Sequence, residues 1–192
     1  MAVAYFGACN TSGVASTPDG KDIPIDDYIY GCKSQTYAVG TSGTTYNVAS
    51  LGAWGELSQY SYGRVAIYDN AGNLVAETAE LNGSSFPASN QWLSGAVTQY
   101  STIVGGDAYT LALQKKPGSS YTNFHYLTVS SGVAGYAART YGAFPSTNPS
   151  MGNFTQLFIL RVGVEAVASG FVPYPFSRGA HGGLLTNSGG LA

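Results

Sequence analysis

Residues 63–81, GRVAIYDNAGNLVAETAEL, decide the fold class. Val65, Ile67 and Asp69 alternate with Arg64, Ala66 and Tyr68, which is the two-residue period of a strand. Asn70-Ala71-Gly72-Asn73 is a turn by composition, and the apolar pattern resumes from Leu74 to Leu81. The stretch therefore predicts a β-hairpin.

The same signal extends outward in both directions. Strands are expected at Tyr28–Tyr37, Thr44–Trp54, Gln91–Val104 (one or two), Ala108–Gln114, Tyr121–Ser130 and Phe154–Val167, with a first strand around Val3–Tyr5. Gly105-Gly106-Asp107 and Lys115-Lys116-Pro117-Gly118 separate three of them. Residues 154–167 invite a helical reading, but their Val, Ile and Phe content with Gly163 favours a strand. Eight to ten strands at regular spacing, with no repeat of fixed period, predict an all-β fold, a jelly-roll-like antiparallel β-sandwich. Residues 1–27 hold the first strand and a polar, acidic loop (Thr11–Asp27), 28–168 the sandwich, and 169–192 a Pro- and Gly-rich C-terminal arm. Gly135–Met151, with Pro145 and Pro149, is expected to be irregular.

Composition narrows the function. Of 192 residues 26 are Gly and 15 are Tyr, while charged residues make up 9%, well under the usual ~25%. Hydrophobic residues at 44% and aromatics at 13% argue against intrinsic disorder. A net charge of -2 excludes a nucleic-acid binder that works through a dense basic surface, and a polybasic membrane binder. No apolar run approaches the ~20 residues of a membrane helix, so no membrane insertion is expected. The N-terminus lacks the basic and long apolar regions of a secretory leader, and none is expected. A surface of Tyr, Ser, Thr, Asn and Gly suits protein contacts, because it gives area and hydrogen bonds at low entropic cost.

Motifs for chemistry are sparse. The glutamates Glu56, Glu77, Glu80 and Glu165 show no catalytic pairing, and Glu77 and Glu80 would fall on opposite faces of one strand. Gly40-Thr41-Ser42-Gly43 is a loop of small residues, without the Gly-x-Ser-x-Gly pattern of a nucleophile. His125 sits mid-strand as a packed or surface histidine. With His181 as the other histidine, zinc would need carboxylate ligands. Cys9 and Cys32 read as buried thiols in a cytoplasm or as a disulfide in an oxidising compartment. Asp19, Asp22, Asp26 and Asp27 supply oxygen ligands of the type calcium takes, but without EF-hand spacing; a solvated acidic loop accounts for them, and no cofactor is expected. Asp69 with Asn70, Gly72 and Asn73 is more simply an Asx-capped turn than a cation site. Trp54, Tyr60, Tyr62, Trp92 and Tyr100 are candidates for stacking on sugar rings, with core packing the simpler assignment for the two tryptophans.

Between Tyr46 and Gln114, the pieces YNVASLGAW, GRVAIYDNAGNLVAETAEL and QWLSGAVTQYSTIVGGDAYTLALQ resemble jelly-roll modules. Such modules occur in bacteriophage virion proteins and as accessory, carbohydrate-binding-like domains of secreted proteins. The matching pieces are structural, so the resemblance implies fold before function. Together with the composition it points to a non-enzymatic virion component: a capsid decoration or neck/tail accessory subunit made in a host cytoplasm. The expected partners are copies of itself and other virion proteins, with a cell-surface glycan as a further candidate. Phe171, Val172, Tyr174, Phe176, Leu184 and Leu185 are the expected assembly anchors of the arm. The alternative is a secreted carbohydrate-binding module or surface adhesin, extracellular in location.

Overall fold

The hairpin read from residues 63–81 is one corner of a two-sheet sandwich. A computed structural model describes residues 3–7, 19–22, 27–32, 37–38, 40–57, 62–83, 90–99, 101–117 and 122–167. Among them there are sixteen strands and no helix. In chain order the first eight are β1 (Ala4–Gly7), β2 (Gly20–Asp22), β3 (Tyr28–Cys32), β4 (Tyr37–Ala38), β5 (Thr45–Leu57), β6 (Tyr62–Tyr68), β7 (Leu74–Glu77) and β8 (Leu81–Asn82). Then come β9 (Gln91–Ala96), β10 (Thr102–Val104), β11 (Ala108–Lys115), β12 (Thr122–Thr128), β13 (Ala134–Ala138), β14 (Gly152–Phe154), β15 (Gln156–Phe158) and β16 (Leu160–Ala166).

The first sheet runs β1-β16-β5-β12-β15, with β9 and β10 also paired to β5 and β2 to β12. The second runs β14-β13-β3-β11-β6-β7, with β4 on β11 and β8 on β6. All these pairings are antiparallel, and strands distant in sequence are neighbours, as β1 and β16 are. Strand β5 is the spine of its sheet. One edge takes β16 along Tyr46–Ala53 and β12 along Gly55–Leu57, while the other takes β10 and β9. Ile159 is fully buried where β15 leaves β12 and β16 joins β5. Its N–H donates to the His125 carbonyl and its carbonyl accepts from the Trp54 N–H, both at 2.9 Å.

Alternation explains the core. Val65 and Ile67 of β6, with Leu111 and Leu113 of β11, meet Val48, Leu51 and Ala53 of β5, Leu93 of β9 and Val162 of β16. The other parity of the second sheet is also buried. Ile29, Ala66, Tyr68 and Ala112 pack with Phe144 and Met151 from the segment 139–151, which lies over the outer face as a third layer. Both faces of the hairpin strand β6 therefore carry apolar residues.

Several boundaries differ from the sequence expectation. Of the strand expected to run to Tyr37, Tyr28–Cys32 forms β3 and Tyr37–Ala38 pairs with β11 as β4, while residues 33–36 lie outside the described residues. Gln91–Val104 holds two strands, and the polar loop contributes β2. The segment expected to be irregular contains most of β13, which pairs with β3 along all five of its residues. Its composition, AGYAA, gives no β-branched signal, so neighbours rather than propensity make it a strand. Strand β7 ends at Glu77, short of Leu81, so the opposite-face expectation for Glu77 and Glu80 does not apply.

Candidate functional site

A concave aromatic surface lies at the β14 edge of the second sheet. Tyr28 and Tyr30, two apart on β3, share a face, and Tyr136 of β13 stands directly opposite Tyr30. Strand β14 adds Phe154 from the next position, opposite Ala134. The rings interlock: Tyr28–Tyr136 centroids are 5.4 Å apart, Tyr30–Phe154 5.4 Å and Tyr136–Phe154 5.7 Å. Phe158 closes the inner side, edge-on to Tyr30 at 5.4 Å. These are the spacings at which aromatic pairs gain beyond their buried area. The result is a pocket of about 370 Å³ lined by Tyr28, Tyr30, Tyr136, Asn153, Phe154 and Thr155. Among the described residues that line it none carries a charge, and Tyr136 is 38% exposed at the mouth. This surface suits an uncharged, flat or ring-bearing ligand with a few hydrogen-bonding groups.

The candidate stacking residues lie elsewhere, the two tryptophans on the outer face of the first sheet and Tyr62 at the start of β6 in the second. Trp54 of β5 and Trp92 of β9 are a cross-strand pair, edge-to-face at 5.6 Å. Both are half-buried and alternate with the core residues Ala53 and Leu93, so core packing was the wrong expectation for them. The Arg161 guanidinium lies 4.1 Å from the Trp92 ring centroid and 4.0 Å from that of Tyr5, a cation–π arrangement. Arg161 reaches Ser94 on β9 with a 3.2 Å hydrogen bond by crossing β5 at Gly52, which is in register with both residues. A Cβ on Gly52 would collide with the Ser94 hydroxyl, so the crossing needs glycine there. Tyr62 carries the Lys116 ammonium 4.4 Å above its ring. Tyr60 and Tyr100 lie outside the described residues.

The carboxylates serve as clamps for the covering segment. Glu77 accepts the Phe144 N–H at 3.0 Å and pairs with Arg64 at 3.4 Å. Glu80 accepts the Tyr141 hydroxyl at 3.1 Å and pairs with Lys116 at 3.3 Å. Asp27, in the left-handed region at φ 61°, accepts the Arg139 N–H through its carbonyl and the Tyr141 N–H through its side chain. Tyr68 donates to the Pro145 carbonyl, and burial, with the Glu77 charge beside it, holds its phenol well above the ordinary range. Burial and Glu80 do the same to Tyr141. The other two glutamates are dispersed, Glu56 on β5 and Glu165 on β16.

Of the four aspartates considered for calcium, Asp19 accepts the Thr128 N–H at 2.6 Å and Asp27 is the clamp just described. Asp26 and the side chain of Asp22 lie outside the described residues, as do Cys9 and the side chain of Cys32. Among the described residues no three His, Cys, Asp or Glu side chains converge on one point. Asp69 caps its turn: its two oxygens accept from the Asn73 backbone and side chain at 2.7 and 3.0 Å. His125 is buried, with Nε2 2.9 Å from Asn90 Oδ1. The anchor residues Phe171, Val172, Tyr174, Phe176, Leu184 and Leu185 lie outside the described residues.

None of the six pocket residues stood out in the sequence as a site. The tyrosine spacing at 28 and 30 was visible, but Tyr136 and Phe154 join it only through the β3–β13–β14 pairing. Compared with known proteins, the chain matches no family model, no curated protein and no solved structure.

Proposed function

We propose that the protein is a non-catalytic assembly subunit, a β-sandwich component of a bacteriophage virion in the capsid decoration or neck/tail class. The observation that carries this reading is the tyrosine-walled pocket at the β14 edge of the second sheet, whose described lining is uncharged. A pocket without a charged group, on a chain with 9% charged residues, favours contact with another neutral protein surface over chemistry. The roles of Glu77, Glu80, Asp19, Asp27 and Asp69 support it, since each carboxylate holds backbone or side-chain donors of its own fold. Synthesis in the host cytoplasm and service in the particle follow from the same reading.

A carbohydrate-binding module draws less support. A sugar stacks on an open ring face, whereas Arg161 occupies one face of Trp92 and Lys116 one face of Tyr62. The test is the assembly state. Sedimentation velocity of the purified full chain should show concentration-dependent oligomers, and mass spectrometry of phage particles from its source should find it as a stoichiometric component. A chain that stays monomeric and is missing from particles rejects the proposal.

A further inference from the structure

We infer that the Tyr28–Tyr136–Phe154 pocket is the docking site for the Phe171–Phe176 segment of a second copy of this chain. The inference rests on the assembly reading above and names the contact that would make it. The segment reads Phe171-Val172-Pro173-Tyr174-Pro175-Phe176. Sequences with alternating prolines favour extended conformations close to polyproline II. Extended proline-bearing peptides dock in aromatic-lined grooves, where proline rings lie on aromatic faces and the exposed carbonyls accept from nearby donors. The pocket offers both parts: faces from Tyr28, Tyr136 and Phe154, and polar groups from Asn153, Thr155 and the tyrosine hydroxyls. Neither partner is charged, so docking desolvates no ion.

The start of the segment limits which part of it can return to its own pocket. The Val167 N–H donates to the Thr45 carbonyl, so the chain leaves the sandwich where β5 begins. Phe158, which packs against Tyr30 at the pocket wall, lies back along the same extended run. The nine residues from Phe158 to Val167 cover about 30 Å at the rise of a strand. Tyr174 is seven residues past Val167 and reaches at most about 25 Å. Tyr174 therefore ends about 5 Å short of the Phe158 backbone of its own chain, while Phe176 at about 32 Å reaches it, so it is the assembly reading that puts Tyr174 in a neighbour's pocket. Such a contact joins two different surfaces, so it generates rings or chains of copies rather than a face-to-face dimer.

The experiment uses the full chain with two variants, Tyr136→Lys at the pocket mouth and Tyr174→Lys in the segment, read by sedimentation velocity. Each should weaken self-association by roughly 30-fold, the loss expected for one buried aromatic anchor. An equimolar mixture should recover a one-to-one complex, because the first variant keeps a working arm and the second a working pocket. A peptide of residues 169–178 should compete with wild-type association. If Tyr136→Lys does not fold by circular dichroism, Thr155→Lys on the exposed rim replaces it. Association abolished by Tyr174→Lys but untouched by both pocket variants would move the arm to another surface, overturning this inference while the assembly reading stands. Association unaffected by any variant, or no complex in the mixture, also overturns it. A wild-type chain that is monomeric at all concentrations overturns both readings.

Discussion

At the scale of single residues, Gln114 stands out among the described residues of the second sheet as a buried polar group without a partner. Gln114 is fully buried on β11, and neither amide atom has a hydrogen-bond partner among the described residues. An amide taken out of water without a partner costs about 1–3 kcal/mol. Methionine has nearly the same shape and needs no partner. Gln114→Met should therefore stabilise the protein by about 1–2 kcal/mol, read as a higher urea midpoint at unchanged slope. A lower midpoint would mean that the amide is satisfied in solution. Asp69 offers the opposite case. The Asn73 side chain, reinforced by the backbone N–H groups of Asn73, Ala71 and Gly72, draws its carboxyl below the ordinary range, against a weaker pull upward from desolvation. A depressed folded value gives stability that is present above the ordinary carboxyl value of ~3.9 and is lost as pH falls through the folded one. Asp69→Ala should lower the melting temperature at pH 7 and narrow its difference from the wild type toward pH 2. A constant difference across that range would remove Asp69 from the acid response. Gly72, at φ 86°, makes the turn feasible, since a side chain there would be strained.

At the scale of elements, the segment 139–151 behaves as a clasp. Pro145 and Pro149 keep it from joining the sheet as a regular strand, so its polar groups are met one at a time. Ser146 accepts the Leu74 N–H at 2.8 Å, Gly72 accepts the Asn148 N–H at 2.7 Å, and Glu77 accepts the Phe144 N–H. Glu77 is the central clamp, because it is buried and also bound to Arg64. Glu77→Ala should cost about 2 kcal/mol, the range for a hydrogen bond to a charged group. The loss should come with faster amide exchange at Phe144, and no change in either would reduce the clasp to a passive loop. This element also marks where the sequence stops being legible. Val65, Ile67, Leu111 and Leu113 announce their strands by alternation, and the hairpin, β5, β11 and β12 stand near where residue pattern puts them, whereas the one strand expected over Phe154–Val167 is divided into the end of β14, β15 and β16. The alternation fails for β13, because small residues become a strand there only once β3 and β14 flank them. The pocket fails for the same reason. Tyr28 and Tyr136 are 108 positions apart, and only the pairing of their strands brings their rings to 5.4 Å. Trp54 and Trp92 were legible as candidates but not as a pair, since the register that matches them is a property of the sheet.

At the scale of the whole molecule, the sandwich is closed by its most distant parts. Strand β1 pairs with β16 from Ala4–Val164 to Gly7–Arg161 and covers an edge whose inward side chains, Val162 and Val164, are core. Phe6 packs against that core, edge-to-face with Tyr46 at 6.4 Å, and Tyr5 holds one face of Arg161. The first sheet is therefore complete only after residues near both ends of the described chain have met. Folding that depends on such non-local pairing is slow, milliseconds to seconds. Until β1 arrives, the free edge of β16 is a template for another chain. Removing residues 1–7 takes away the Phe6 contact, an aromatic burial of roughly 1.5–3 kcal/mol when complete, and leaves that edge unpaired. The shortened chain should unfold at a lower urea concentration and self-associate through β16. Tyr136→Lys should not reverse that association, because the pocket is not the surface involved. Mixing with the Tyr174→Lys chain should not rescue it either. A shortened chain with the wild-type midpoint and the wild-type sedimentation profile would show that β1 is dispensable, and that the first sheet is held by β16, β5 and β12 alone.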